Sequence, residues 1–237
     1  MEIYAVNTGR KLHSETFLNL MQYIDTNKKE RIKKYIRFED ACRVLVADVL
    51  ARAVASRMLG VSNNDISFGI GKHGKPYILN TNNYHFSIAH SKTWVVCAAD
   101  DCEVGIDVEK IRPINTMIAK RFFTAEEYDE LLNKPSNEQT NYFFDLWTLK
   151  ESYVKALGKG LLLPFNSFRI KIEDETISIE KGKEVKEEFA GEDAVKGDNY
   201  SFKLYHIDNY NKMAVCSTKP EQNFPEKINF LSIDELP

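Results

Sequence analysis

Two long helical patterns, each stopped by a glycine and each flanked by short strand patterns, restrict what this 237-residue chain can become. From Glu39 to Leu59 the apolar positions, Val44, Leu45, Val49 and Leu59 among them, fall at helical spacing, and Gly60 stands where a glycine closes the last turn. Asn141 to Leu157 repeats the pattern, and Gly158 repeats the stop. The first helix is accompanied by strand patterns at Ile3 to Val6, Tyr84 to Ala89 and Trp94 to Ala99. The second is accompanied by Val104 to Glu109, Phe168 to Ile172, Ile177 to Ile179, Tyr200 to Ile207 and Met213 to Ser217. A basic helix is expected to start at Asn27, with Glu30 closing a capping box, and Arg121 to Leu132 reads as a helix whose second part is capped by Thr124. The expected fold class is therefore α+β. It is a pseudo-dimer of two similar halves, residues 1–102 and 103–237, each a long helix packed on a small, mostly antiparallel sheet. After Pro220 no pattern is legible.

With 43% hydrophobic residues, a net charge of -3 and a pI near 6.0, the chain can bury a core but does not have a surface built throughout for nucleic acid or anionic membrane. An anion site must be local. Cys42, Cys97, Cys102 and Cys216 contain no C-x-x-C pair, which argues against disulfides and zinc. The start of the chain lacks a basic segment followed by an apolar run, and no stretch reaches transmembrane length. A cytoplasmic monomer with no nucleic-acid or membrane partner is the expectation.

The segment Trp147 to Leu161, WTLKESYVKALGKGL, breaks the amphipathic rule. Phe143, Phe144, Leu146, Trp147, Tyr153, Val154 and Leu157 define one apolar arc, and Lys150 and Glu151 fall inside it with Lys155 at its edge. A charge on a core-facing stripe needs a partner. An i,i+4 Glu151–Lys155 pair is the plain reading, worth only about 0.2–0.5 kcal/mol. The strand Val104 to Glu109 adds a second oddity, because alternation puts Val104, Ile106 and Val108 on one face and Asp107 with Glu109 on the other. Taken alone, that pair is compatible with an exposed strand face. Joined with Glu151, the two make three hard oxygen donors of the kind that holds Mg²⁺, or Mn²⁺ in its place, against a phosphate-bearing substrate. The run Lys28 to Arg37 is either a solvated helix face or a phosphate clamp, with Lys28 and Arg31 on one side of the helix. His90 ends a strand, and Gly74-Lys75 lacks the Ser/Thr and helix of a nucleotide P-loop.

Gly74-Lys75-Pro76, FSIAHS ending at Ser91, GIDVEK from Gly105, FFTAEEY from Phe122 and the Trp147 segment together, in this order and spacing, resemble the 4′-phosphopantetheinyl transferase superfamily, and within it the surfactin-synthetase-activating type. The resemblance covers residues 1–217. It implies an active site between the halves and transfer of phosphopantetheine from coenzyme A to a serine of an apo acyl- or peptidyl-carrier protein. It further implies that Asp107, Glu109 and Glu151 hold Mg²⁺, that Glu151 activates the serine and that Lys155 neutralises the leaving phosphate. Lys28, Arg31, Lys75, His90 and Lys150 are implied contacts of the coenzyme A phosphates. Three positions depart from the family pattern: Ala89 and Val44 lack the usual hydroxyl, and Arg31 replaces lysine. A Mg²⁺-dependent nuclease, suggested by the D-x-E-K run at Asp107 to Lys110, and an inactive coenzyme A or carrier-binding module are the competing readings.

Overall fold

The computed structural model describes residues 1–9, 12–173, 176–181 and 199–236. Its first half contains strand β1 (Glu2–Asn7), helices α1 (Ser14–Leu20), α2 (Thr26–Ile32) and α3 (Phe38–Leu59), the hairpin β2 (Phe68–Ile70) and β3 (Pro76–Ile78), and the long hairpin β4 (His85–Ser91) and β5 (Trp94–Asp100). The second half contains β6 (Val104–Lys110), α4 (Thr116–Phe122), α5 (Ala125–Asn133), α6 (Ser136–Leu157), the hairpin β7 (Phe168–Glu173) and β8 (Thr176–Lys181), β9 (Ser201–Asp208) and β10 (Asn211–Ser217). The last strand, β11 (Asn229–Leu231), pairs in parallel with β1. The uninformative tail therefore returns to the first sheet, whose strand order is β11-β1-β5-β4, while the second sheet is β6-β10-β9.

The fold is α+β, with two halves of matching construction. Helices α3 and α6 are each 22 residues long, and each ends at a glycine in the left-handed region, Gly60 at φ 66° and Gly158 at φ 67°. One face of each sheet meets its own helix. Val95, Cys97 and Ala99 of β5 pack with Leu45, Val49 and Leu50 of α3, and Ala214, Cys216 and Phe202 pack with Leu149 and Tyr153 of α6. The opposite faces share a third core, in which Ile3, Ala5, Val96 and Ala98 meet Val104, Ile106, Val108 and Val215. Strand alternation produces this division, because β6 sends its apolar residues to the shared core and Gly105, Asp107 and Glu109 toward α6.

Two local expectations change. Asp25, not Asn27, occupies the N-cap of α2, and it makes no side-chain cap because its carboxylate receives Arg52 Nη2 at 2.6 Å. Glu30 is drawn to Lys33 at 2.7 Å, so the expected capping box does not form. The helix expected from Arg121 to Leu132 is two helices, split where Thr124 leaves helical geometry to cap α5, with Glu127 completing a capping box. Among the described residues, no helix is long and apolar enough to cross a membrane.

Candidate active site

Where the halves meet, β6 and α6 face α2, α3 and the β2–β3 turn across a cleft of about 580 Å³. Asp107, Glu109, Glu151 and Lys155 form one wall, Lys28 and Arg31 contribute to the other, and His90 of β4 also lines the cleft. The close approach of β6 to α6 depends on Gly105, since a Cβ there would stand 1.9 Å from Ser152 O and 2.5 Å from Ala156 N. That contact brings the carboxylates of β6 beside Glu151.

Electrostatically the carboxylate wall is under-neutralised. Burial, then the neighbouring Asp107, pushes the Glu151 carboxyl up to about 7, and Glu109 is raised by the same two causes in the same order. Asp107 is raised by burial, against the opposing pull of Lys155. Lys155 Nζ donates to Asp107 Oδ1 at 2.6 Å and to Ile106 O at 3.2 Å, so its ion pair is with the strand carboxylate and not with Glu151. Asp107 Oδ2 is buried without a hydrogen-bond partner. An orphaned carboxylate oxygen beside two carboxyls held toward protonation is a donor set short of a cation, and hard oxygen donors of this kind fit Mg²⁺. The three side chains are not gathered to within one ligation sphere. The only such group of potential ligands among the described residues is Asp100, Asp101 and Cys102, where Lys219 and the Met1 amine already supply positive charge.

On the opposite wall Lys28 pairs with the largely buried Asp48, which also accepts from Arg52 Nε at 2.9 Å, and its ammonium lies 4.1 Å from the centre of the Phe68 ring. His90 opens to solvent at the rim, and surrounding protein followed by the charge of Arg43 holds its pKa below the usual value. Val44 and Ala89, the two positions lacking a hydroxyl, both line the cleft.

Two lysines are not where the resemblance puts them. Lys150 is fully buried, and its three donors are consumed by Glu127 Oε1 at 2.8 Å, Phe165 O at 2.8 Å and Phe168 O at 2.6 Å. It cannot reach a phosphate in the cleft. Burial pulls its pKa down to about 8, and Glu127 opposes that shift. Lys75 also turns away, because Gly74 and Pro76 face the cleft and the residue between them points to the other side. Its ammonium donates to Val104 O and Ala156 O, both at 3.0 Å. Several residues that organise the site were missed in the sequence. Glu127 Oε2 accepts from Thr124 N at 2.8 Å and its Oε1 from Ile170 N at 2.7 Å, while Ser91 Oγ donates to Glu109 Oε2 at 3.0 Å. The T-x-x-E spacing after Thr124 was a readable signal for Glu127. Ser91 had no local signal.

Comparison with known proteins decides which family the chain belongs to. Residues 11–102 match the family model for the 4′-phosphopantetheinyl transferase N-terminal region, and residues 103–204 match the model for the 4′-phosphopantetheinyl transferase superfamily. The chain is 41% identical over 240 residues to 4′-phosphopantetheinyl transferase Sfp of Bacillus subtilis (strain 168), covering 100% of both chains. The chain belongs to the 4′-phosphopantetheinyl transferase superfamily. A second Bacillus subtilis transferase, ffp, is 39% identical over 237 residues, again covering 100% of both chains. The holo-[acyl-carrier-protein] synthase of Helicobacter pylori, solved in complex with coenzyme A, is 21% identical with a TM-score of 0.36, covering 48% of this chain and 96% of its own. The chain is a phosphopantetheinyl transferase, and its cleft is the candidate site of that chemistry.

Proposed function

We propose that this transferase moves the 4′-phosphopantetheine group of coenzyme A, in the presence of Mg²⁺, onto a serine of an apo acyl- or peptidyl-carrier protein and releases adenosine 3′,5′-bisphosphate. The observation that carries the reading is the division of charge in the cleft: carboxylates and Lys155 of β6 and α6 on one wall, Lys28 and Arg31 of α2 on the other, and His90 at the rim. The cationic wall suits the phosphorylated nucleotide. Asp107, Glu109 and Glu151 suit the cation, which when bound supplies charge neutralisation to the pyrophosphate.

The carrier serine Oγ attacks the phosphorus attached to pantetheine, a new P–O bond forms, and the bond to the bridging oxygen of the pyrophosphate breaks. The serine proton passes to the ionised carboxylate of Glu151, which, raised to about 7, takes up a proton near neutral pH. Lys155, which lines the cleft, keeps an N–H beyond those given to Asp107 and Ile106 for the oxygen that gains charge as the bond breaks. The residue ranges 1–102 and 103–237 then correspond to a nucleotide half and a chemical half, with the tail strand lent back to the first sheet. The reading extends to a cytoplasmic monomer.

The decisive experiment incubates the protein with an apo-carrier, coenzyme A and Mg²⁺ and weighs the carrier by mass spectrometry. A phosphopantetheine increment that disappears with EDTA supports the proposal. An unmodified carrier under all conditions, with coenzyme A still bound, favours a binding module.

A further inference from the structure

The two sheets abut where the edge strand of one, β4, lies beside the edge strand of the other, β6, yet no backbone ladder joins them among the described residues. Four backbone groups on this edge of β6 are met by side chains instead. Val104 O accepts from Lys75 Nζ at 3.0 Å, Ile106 N donates to Ser87 Oγ at 3.1 Å, Ile106 O accepts from Lys155 Nζ at 3.2 Å, and Lys110 N donates to Ser91 Oγ at 3.1 Å. Ser87 meets Ile106 and Ser91 meets Lys110, four residues on in both strands. The strands therefore run in the same direction, and two hydroxyls stand in for the carbonyls of a parallel ladder. An edge strand left without these partners would carry buried unpaired amides and carbonyls.

Lys75 does more than end this row. Its second donor reaches Ala156 O at 3.0 Å, one residue after Lys155, and its stem lies against Gly158, where an added Cβ would be 3.1 Å from Lys75 Cδ. One ammonium thus ties the start of β6 to the end of α6 from a loop in the other half. Between those two anchor points lie Asp107 and Glu109 on the strand and Glu151 and Lys155 on the helix.

We infer that Lys75, with Ser87, is a positioning residue: a side-chain ladder across the seam, closed by the Lys75 clamp, sets the distance between the carboxylate strand and the catalytic helix. Lys75 then contributes to turnover without touching coenzyme A. The kinetic part rests on the proposed reading of the cleft, whereas the mechanical part does not.

The test compares the full-length protein with Lys75→Met and Ser87→Ala by two readouts, transfer kinetics and backbone hydrogen exchange across residues 104–110. Lys75→Met is expected to lower kcat on the order of 10- to 100-fold, because displacement of reacting groups by about 1 Å costs that much, and to leave KM for coenzyme A nearly unchanged. The loss should be the same with dephospho-coenzyme A. Both variants should speed exchange in β6 and leave β5 unaltered. A rise in KM with kcat intact, abolished by dephospho-coenzyme A, makes Lys75 a phosphate ligand and overturns the inference. Exchange and kcat at wild-type values in Ser87→Ala overturn it also, and that variant decides the matter if Lys75→Met does not fold. A wild-type protein that transfers nothing removes the proposed function, while the exchange result still judges the seam.

Discussion

Lys155 and Glu151 share one helical turn but stand differently toward β6: Lys155 pairs with Asp107, while burial and the Asp107 charge raise the Glu151 carboxyl. Lys155 is anchored by Asp107 Oδ1 and Ile106 O, so Lys155→Met should remove a seam contact and, on the proposed mechanism, a charge at the departing phosphate. Loss of a donor aimed at developing charge lowers kcat by about 10²- to 10³-fold. Steady-state kinetics check this: a variant whose KM alone rises places Lys155 in binding. Lys28 presents a weaker case. Its ammonium is already paired with Asp48, so a coenzyme phosphate gains only part of its charge. Coenzyme A should still be preferred over dephospho-coenzyme A, but by a ratio near the low end of a charge-assisted contact, roughly tenfold in kcat/KM. Lys28→Met should shrink that preference, and equal kcat/KM for both coenzymes in the wild type would refute a clamp at this wall.

At the scale of elements, the contact between β6 and α6 is the tightest approach on which the site depends. Gly105→Ala would drive its methyl into Ser152 O and Ala156 N, both backbone atoms of a packed helix, so one element must move. Overpacking of this kind costs about 1–3 kcal/mol, seen as a lower melting temperature. Transfer measured well below that temperature should fall by more than tenfold, on the order expected when reacting groups separate. Normal turnover in the Gly105→Ala variant would show that the spacing is not critical. The sequence carried much of this level: both long helices, their glycine stops, and the alternation that sends Asp107 and Glu109 to one face of β6 were all readable. It also showed that Lys150 on an apolar arc needs a partner, and Glu127 is that partner. The directions of Lys75 and Lys150 were not readable. A loop lysine has no periodicity to orient it, and a buried lysine whose donors all go to non-local groups has the same local sequence as one that binds phosphate. The seam of serine hydroxyls was hidden for the same reason, since Ser87 and Ser91 meet residues 19 positions away.

For the whole molecule, the under-neutralised carboxylates couple folding to pH and, on the proposed function, to a bound cation. Burial and mutual repulsion raise the Glu151 carboxyl from the ordinary range to about 7, so between those values the folded protein binds more protons than the unfolded chain. Stability must therefore fall as pH rises through that window, with Glu109 and Asp107, also raised, acting in the same direction. A cation held by these groups competes with the protons and binds best once they have left. Mg²⁺ should accordingly raise the melting temperature little near pH 5 and most near pH 8, and Glu151→Gln should flatten both the pH dependence and the response to Mg²⁺. The group formed by Asp100, Asp101 and Cys102 predicts a different profile. Lys219 holds the Asp101 carboxyl below its usual value, so a cation bound there would already stabilise the protein at pH 5. Thermal unfolding at the two pH values, with and without Mg²⁺, in the wild type, Glu151→Gln and Asp101→Asn separates the sites. An equal shift at both pH values that Asp101→Asn abolishes would move the cation away from the cleft.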